Sequence, residues 1–168
     1  VRLGAVLMST NAPIQAHANN FLAPEPFIVA RLKDALADLR PQVHVLTASD
    51  LALVKEESQP TPAVHVIWNG FRVADASRPD GRAATLDHTW LIVAAVKNVR
   101  TLKTGEAARS EAGELAARAG AALMGFRPPN VAGPMRLSPS PSTGHSAGFV
   151  YLPLAFVVET VFKSELLL

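Results

Sequence analysis

The hydrophobic pattern is dominated by two apolar stretches that predict a long β-hairpin over Pro62–Asn98. The first arm, Ala63–Trp68, is rich in β-branched and aromatic residues, and the second, Thr85–Val96, begins with alternating polar and apolar positions. Between them, Ser77–Arg82 contains Pro-Asp-Gly, in which Pro presets a turn and Gly supplies a positive φ. Gly70 predicts a bulge or bend in this arm before Phe71.

Apolar residues at helical spacing predict two main helices. The first opens at Pro26, since the missing N–H of proline costs nothing in a first turn, and it is stopped by Pro41. The second follows Thr104, a candidate N-cap, and ends at Gly125. The buried faces are predicted to be Ile28, Leu32, Leu36 and Leu39 in the first helix, and Ala108, Ala112, Leu115, Ala119 and Leu123 in the second.

Shorter elements lie between these segments. Val43–Thr47 predicts a short strand, and Ser49 and Asp50 are candidate caps for a brief helical turn that follows it. Residues 126–148 are rich in proline and serine, so they predict a loop, interrupted by a short strand at Met135–Leu137.

The last strand, over Phe149–Phe162, carries conflicting signals. It is apolar on both faces, which is typical of a central strand. Pro153 lacks the N–H that a central ladder uses, so it favours an edge position or a bulge instead. Both alternatives stay open from the sequence.

Together these elements predict an α/β fold of the α+β kind. Residues 24–168 are predicted to form a single domain, with a mixed, mostly antiparallel sheet that contains the long hairpin and is packed by two main helices. Residues 1–23 are predicted to be an extended N-terminal arm, because Asn and Pro discourage helix there. An apolar arm is expected to lie on its own domain or on a neighbouring copy.

The composition and charge of the chain exclude several classes of function. At 168 residues, 49% of them hydrophobic, the chain can bury a real core. The formal charge of +2, spread along the chain, gives no evidence of specific nucleic-acid recognition. The chain has no cysteine, which excludes disulfides, cysteine nucleophiles and thiolate metal sites.

The N-terminus imitates a secretory signal, with apolar Leu3–Met8 and a small-x-small site at Ala16–Ala18. The apolar run is shorter than the roughly 7–15 residues of such signals, so we interpret the segment as a non-secreted arm. No run approaches the roughly 20 apolar residues that span a bilayer. The sequence therefore predicts no membrane partner.

One motif suggests catalysis. Gly144–Gly148 matches the G-x-S-x-G pattern of a nucleophile elbow, with Ser146 as the candidate nucleophile of a small serine hydrolase. That motif requires a strand before the serine and a helix after it, whereas here a loop precedes it and a strand follows. No Asp or His follows Ser146 to complete a triad in the usual order. We therefore expect no catalytic residue.

Three histidines, His44, His65 and His88, fall on predicted strands and could become neighbours across a sheet. Ordinary strand-surface histidines are the simpler interpretation, so we expect no metal and no cofactor. Trp68 and Trp90 lie on paired hairpin arms and are expected to pack across the strands.

The order of these elements resembles that of the tail terminator proteins of long-tailed bacteriophages, including Mu-like and lambda-like minor tail proteins. The likeness is one of order and size rather than of a sharp motif. It covers most of residues 25–162 and leaves the arm outside. The segments that carry it are Phe27–Leu32, Pro62–Val66, Trp90–Val96, Ala121–Phe126 and Tyr151–Phe156.

The resemblance implies a structural virion protein, assembled in the host cytoplasm and located at the head–tail junction. Such proteins form a ring, usually of six copies, on the head-proximal end of the tail tube. The implied partners are further copies of the chain, the tail tube protein and the head-to-tail connector or stopper protein. Another junction or neck completion protein remains the alternative. We expect interface contacts from six residues, namely Arg78, Asp80, Arg82, Arg136, His145 and Phe162.

Overall fold

Six strands form one open, mostly antiparallel sheet in the computed structural model, which describes residues 16–98 and 106–168. The spatial order is β1-β2-β3-β6-β4, and β5 also pairs with β6. The pair β1–β2 is parallel and the others are antiparallel. This confirms the predicted fold class. The strands are β1 (His44–Thr47), β2 (Ala63–Asp75), β3 (Ala83–Lys97), β4 (Arg136–Ser138), β5 (Gly144–Ser146) and β6 (Phe149–Lys163).

The predicted hairpin is the pair β2–β3. Trp68 lies opposite Trp90, as expected, and the register shifts between Trp68 and Phe71. Gly70 has a φ of 86° at this bulge, and Gly81 has a φ of 64° in the connecting turn. Both values lie in the left-handed region that only glycine adopts without strain. The two glycines therefore bend the hairpin and close it where the sequence predicts.

The first helix, α1 (Glu25–Ala35), ends earlier than predicted. Leu36 leaves helical geometry, with a φ of −106° and a ψ of 4°, although its side chain stays buried. Arg40 donates from Nη1 to the carbonyls of Ala37 and Leu39. The chain thus turns out of the helix several residues before Pro41, and the apolar face continues into the turn.

The helical turn after β1, α2 (Ala48–Ala52), is capped by Thr47 rather than by Ser49 or Asp50. The Thr47 hydroxyl accepts from the Asp50 backbone N–H at 3.4 Å, while the Thr47 N–H donates to Asp50 Oδ2 at 2.8 Å. This reciprocal capping box satisfies two backbone donors at the helix start. Asp50 contributes from the third helical position, not as the cap itself.

The second main helix, α3 (Glu106–Leu123), buries its predicted alanine stripe against the sheet. A Cβ at Gly120 would lie 2.9 Å from Leu154 Cδ1, so the helix approaches β6 closely at this point. Gly125 follows the helix with a φ of 76°, as a left-handed C-terminal residue does. The predicted cap Thr104 lies outside the described residues.

Strand β6 is an internal strand, and its register with β3 runs unbroken from Phe149 to Lys163. Its other edge pairs with β5 at residues 149–151 and with β4 at residues 155–157. Pro153 therefore lies where no strand among the described residues pairs with that edge. The missing N–H of Pro153 therefore costs no hydrogen bond to a neighbouring strand, and the proline is compatible with an internal strand.

The segment 126–148 is more ordered than a loop. The predicted strand near residue 136 is β4, but β5 at Gly144–Ser146 was not predicted. Ala147 and Gly148 have φ values of 49° and 83° and form the turn that returns the chain into β6. Two short 3₁₀ turns, Glu56–Ser58 and Glu165–Leu167, also occur in the described residues.

The core lies between α1, α3 and one face of the sheet. Its largest fully buried side chains include Trp90, Phe156, Ile28, Leu32, Ile92 and Leu123. Within residues 16–98 and 106–168, no helix combines the length and the apolar character that a bilayer crossing requires.

Candidate assembly interface

Toward one end the sheet narrows to three strands, here called the distal ribbon: residues 68–75 of β2, 83–90 of β3 and 156–163 of β6. Strand β4 borders the ribbon only at its start, at residues 156 and 157 of β6. Strand β1 pairs with β2 only as far as Val66. The outer edge of β2 beyond it pairs with no other strand in the described part of the chain. The outer edge of β6 is partly covered, because Ala132 donates to Glu159 O at 2.7 Å.

Residues 16–24 lie across one face of this ribbon. Asn19 Nδ2 donates to Lys163 O at 2.6 Å, and Lys163 N donates back to Asn19 Oδ1 at 3.0 Å. The Phe21 ring stacks on the rings of Trp68, Phe71 and Phe162, with centroid distances of 5.7, 5.4 and 5.7 Å. This part of the predicted arm therefore rests on its own domain. Residues 1–15 of the arm lie outside the described residues.

His88 is the polar centre beneath this aromatic cluster, and its side chain is buried. Trp68 Nε1–H donates to His88 Nδ1 at 3.2 Å, so Nε2 carries the ring proton and donates to Thr160 Oγ1 at 2.8 Å. Burial lowers the pKa of His88, and the nearby Asp87 carboxylate opposes that shift. The neutral imidazole thus accepts one hydrogen bond at Nδ1 and donates one from Nε2, so both ring nitrogens are paired.

The opposite face of the ribbon carries a group of charges. Asp87 is buried, and its Oδ2 accepts from Arg72 Nη2 at 2.5 Å. Its other oxygen, Oδ1, lies 3.9 Å from Arg136 Nη2 and has no hydrogen-bond partner in the described residues. Glu159 is the cross-strand neighbour of Asp87 on β6. Arginines that are themselves largely exposed therefore flank a buried carboxylate.

The hairpin tip holds the three predicted contact charges. Arg78 Nε lies 2.7 Å from Asp80 Oδ1, which also accepts from the Arg82 backbone N–H at 3.0 Å. These bonds lower the pKa of Asp80, the bond from the Arg82 N–H being the main cause. The Arg82 carbonyl accepts from Ser164 N–H at 2.8 Å, which ties the tip to the end of β6. The tip is thus an ordered, exposed turn.

The other predicted contact residues lie apart from the tip. Arg136 begins β4 beside Asp87, and Phe162 belongs to the aromatic cluster with 38% of its surface exposed. His145 is exposed on β5, opposite Val150 of β6. The structure brings Arg136 and Phe162 to the distal ribbon on different faces and leaves His145 at the other end of β6.

Ser146 lies in a strand–turn–strand context, because it is the last residue of β5 and the turn into β6 follows at once. A nucleophile elbow needs a helix after the serine. The strand that follows the serine departs from the motif, as predicted, whereas the loop predicted before the serine is instead strand β5.

The strand histidines do not form a cluster. His44 pairs with Ala63, and His65 pairs with Leu46 and Val93. His88 lies opposite Phe71. Contrary to expectation, His65 and His88 are buried rather than on the surface. Within the part of the chain that the structure describes, no three His, Asp or Glu residues come together as a metal site.

The distal ribbon also exposes large apolar side chains. Phe71, Val73 and Val161 are 47%, 51% and 42% exposed. Phe71 and Val73 lie on the face of the aromatic cluster, whereas Val161 lies on the face of Asp87. Exposed apolar surface of this kind is typical of interaction sites. Sequence reasoning missed Phe21, although an aromatic residue near the end of the predicted arm was the available signal. It also missed Asp87, which no motif marks.

An open strand edge, an apolar patch and flanking charges together are typical of a subunit that works by association. The chain belongs to the phage tail terminator protein family, whose model matches residues 17–165. This confirms the resemblance seen in the sequence. Members of this family are structural virion proteins, so the chain is a structural component of a phage-type tail.

No curated protein matches the sequence. One similar solved chain comes from the structure described as "Virion of native gene transfer agent (GTA) particle". It shares 17% identity with a TM-score of 0.42, and the alignment covers 78% of this chain and 84% of that chain.

Proposed function

We propose that the protein forms a ring, of six copies, that caps the head-proximal end of the tail tube. The ring ends tube polymerisation and offers a docking surface to the head-to-tail connector or stopper protein. The observation that carries this proposal is the family match over residues 17–165. Its partners are then further copies of itself, the tail tube protein and the connector.

The fold suits such a role. A cyclic ring needs heterologous contacts, in which one surface of each copy meets a different surface of the next. The open sheet has two different edges, with β1 on one side and β4 on the other. The distal ribbon adds an unpaired edge and exposed apolar residues, which association would cover.

The proposed docking contacts use the predicted charged and aromatic residues. The charged tip, Arg78, Asp80 and Arg82, sets the register by pairing with complementary charges on a partner. Phe162 contributes apolar area beside the tip. Arg136 and His145 provide polar contacts further along the sheet.

This role places the protein at the head–tail junction of the virion after assembly in the host cytoplasm. It requires no catalytic residue, metal or cofactor. Ser146→Ala should therefore leave assembly unchanged, whereas a serine hydrolase would lose its activity.

Symmetry-resolved imaging of purified particles tests the proposal directly. We expect a ring of six copies at the head-proximal end of the tube, and tubes of uncontrolled length when the protein is missing. A different position in the particle would favour another junction protein. Absence from the particle would overturn the proposal.

A further inference from the structure

A groove runs between the end of α1 and the outer edge of β1, far from the distal ribbon. It has a volume of about 820 Å³ and is open to solvent. Its floor is apolar, formed by Leu36, Val43 and Val45, and its rim is basic, formed by Lys33 and Arg40. An extended apolar segment with an acidic residue would match both properties.

The backbone of β1 is available to such a segment. His44 N–H donates to Pro62 O at 3.0 Å, on the β2 side. Because successive residues of a strand direct their backbone groups to opposite sides, those of Val43 and Val45 face the groove. No strand pairs with this edge in residues 16–98 and 106–168. An added strand would complete the ladder, as in β-strand addition.

The chain itself contains a segment of the required chemistry, Glu165–Leu168. The side chain of Glu165 is 91% exposed, and its ion-pair partner in the structure is His17 at 3.9 Å. Leu166 and Leu168 are 73% and 57% exposed. An acidic residue followed by uncovered leucines complements a basic rim above an apolar floor.

This segment cannot reach the groove of its own copy. Lys163 lies level with Ala83, whereas β1 ends level with Ile92, nine residues further along β3. At the rise of a β-strand this is about 30 Å along the sheet. The five residues 164–168 span at most about 17 Å when fully extended. The occupant must therefore come from another copy.

We propose that Glu165–Leu168 of one copy opens from its short 3₁₀ turn and binds in extended form in the groove between α1 and β1 of the next copy. The donor segment and the acceptor groove lie at opposite ends of the molecule, so each contact is heterologous and can be repeated around a closed ring. The inference rests on the proposed ring and names the surfaces that join its subunits.

The absence of cysteine allows a direct test by crosslinking in assembled particles. Ala37, exposed on the groove, and Leu166 are both replaced by cysteine in one chain, and the particles are treated with a mild oxidant. We expect a ladder of covalent multimers up to the closed ring. The matched control joins Leu166→Cys with Ser110→Cys, an exposed position on α3 outside the groove, and should give no ladder.

Charge exchange provides a second readout that does not depend on cysteine geometry. Lys33→Glu or Glu165→Lys alone should reduce incorporation of the variant into particles roughly two- to five-fold in competition with the unaltered chain, because a partly exposed ion pair contributes about that much. The double exchange should restore incorporation. His17→Ala, which removes the contact of Glu165 within its own copy, should leave it unchanged.

Imaging of the same particles separates the two proposals. A ring with no Ala37–Leu166 ladder, or with Ala37→Cys joined to a different tail protein, would overturn this inference and leave the proposed function standing. If the particles contain no ring, both proposals fail.

Discussion

At the scale of single residues, the effect of a substitution on stability depends on the local backbone conformation and on the atoms around the side chain. Gly113 and Gly125 are both associated with α3, yet their surroundings differ. Gly113 lies within the helix, where an added Cβ would meet no atom within 4 Å, whereas Gly125 has a φ of 76°. Substitutions at the two sites should therefore have opposite effects.

We expect Gly113→Ala to raise the free energy of unfolding by about 0.5–1 kcal/mol, because alanine restricts the unfolded chain and favours helix. Gly125→Ala should lower it by about 1 kcal/mol, because alanine is strained in left-handed geometry. Urea denaturation of the two variants measures both effects. Equal shifts would contradict this account of the α3 terminus.

The buried histidines make stability depend on pH. Burial lowers the pKa of His65 and of His88 in the folded chain, whereas an unfolded histidine titrates near about pH 6.5. Below that pH the unfolded chain binds more protons, so stability is complete above about pH 6.5 and is lost as the pH falls toward the lowered folded values.

His88→Gln tests this prediction, because glutamine can accept from Trp68 and donate to Thr160 without titrating. We expect a smaller loss of unfolding free energy between about pH 7.5 and about pH 5 than in the unaltered chain. An undiminished loss in this variant would remove His88 from the explanation and leave His65 as the candidate.

At the scale of elements, local hydrogen bonds and aromatic stacking hold short segments to the sheet. The capping box of α2 depends on Thr47, and Ser49 was the competing candidate from sequence. Thr47→Ala should lower the free energy of unfolding by about 1 kcal/mol. Ser49→Ala is the control and should be nearly neutral in the same denaturation experiment. A larger effect at Ser49 would contradict the observed cap.

The packing of residues 16–24 on the distal ribbon depends on Phe21, whose ring stacks on three aromatic side chains of that ribbon. Phe21→Ala should reduce the protection of these residues against hydrogen exchange and lower stability by about 1–2 kcal/mol. That value lies below the loss for a fully buried phenylalanine, because Phe21 is only half-buried. Leu22→Ala, at an exposed neighbour, should have little effect. Unchanged protection after loss of the ring would contradict this role of the aromatic stacking.

At the scale of the whole molecule, the proposed contacts should be separable from folding. Alanine at Arg78, Asp80 and Arg82 together removes the charges of an exposed turn while leaving the core intact. We expect impaired assembly, measured as fewer complete particles, with little change in thermal stability. Normal assembly of this triple variant would count against the tip as a docking site.

The sequence predicts most of the elements of the fold but few of the residues that form the candidate interface. The hairpin, its bulge at Gly70 and the alanine stripe of α3 follow from local patterns, because periodicity and glycine geometry act over a few residues. The end of α1, the position of β6 and strand β5 depend on distant partners. Phe21 and Asp87 acquire their surroundings only when remote strands meet, so no local signal marks them.

The sequence by itself determined the fold class, the family resemblance and the absence of cysteine chemistry. These follow from the order of apolar patterns and from composition, which need no knowledge of contacts. Tertiary structure alone decided which edges stay open, which histidines are buried, and that Glu165–Leu168 lies far from the groove beside β1. Those properties arise from pairing between segments far apart in the chain, and strand register is fixed only when the segments pack together.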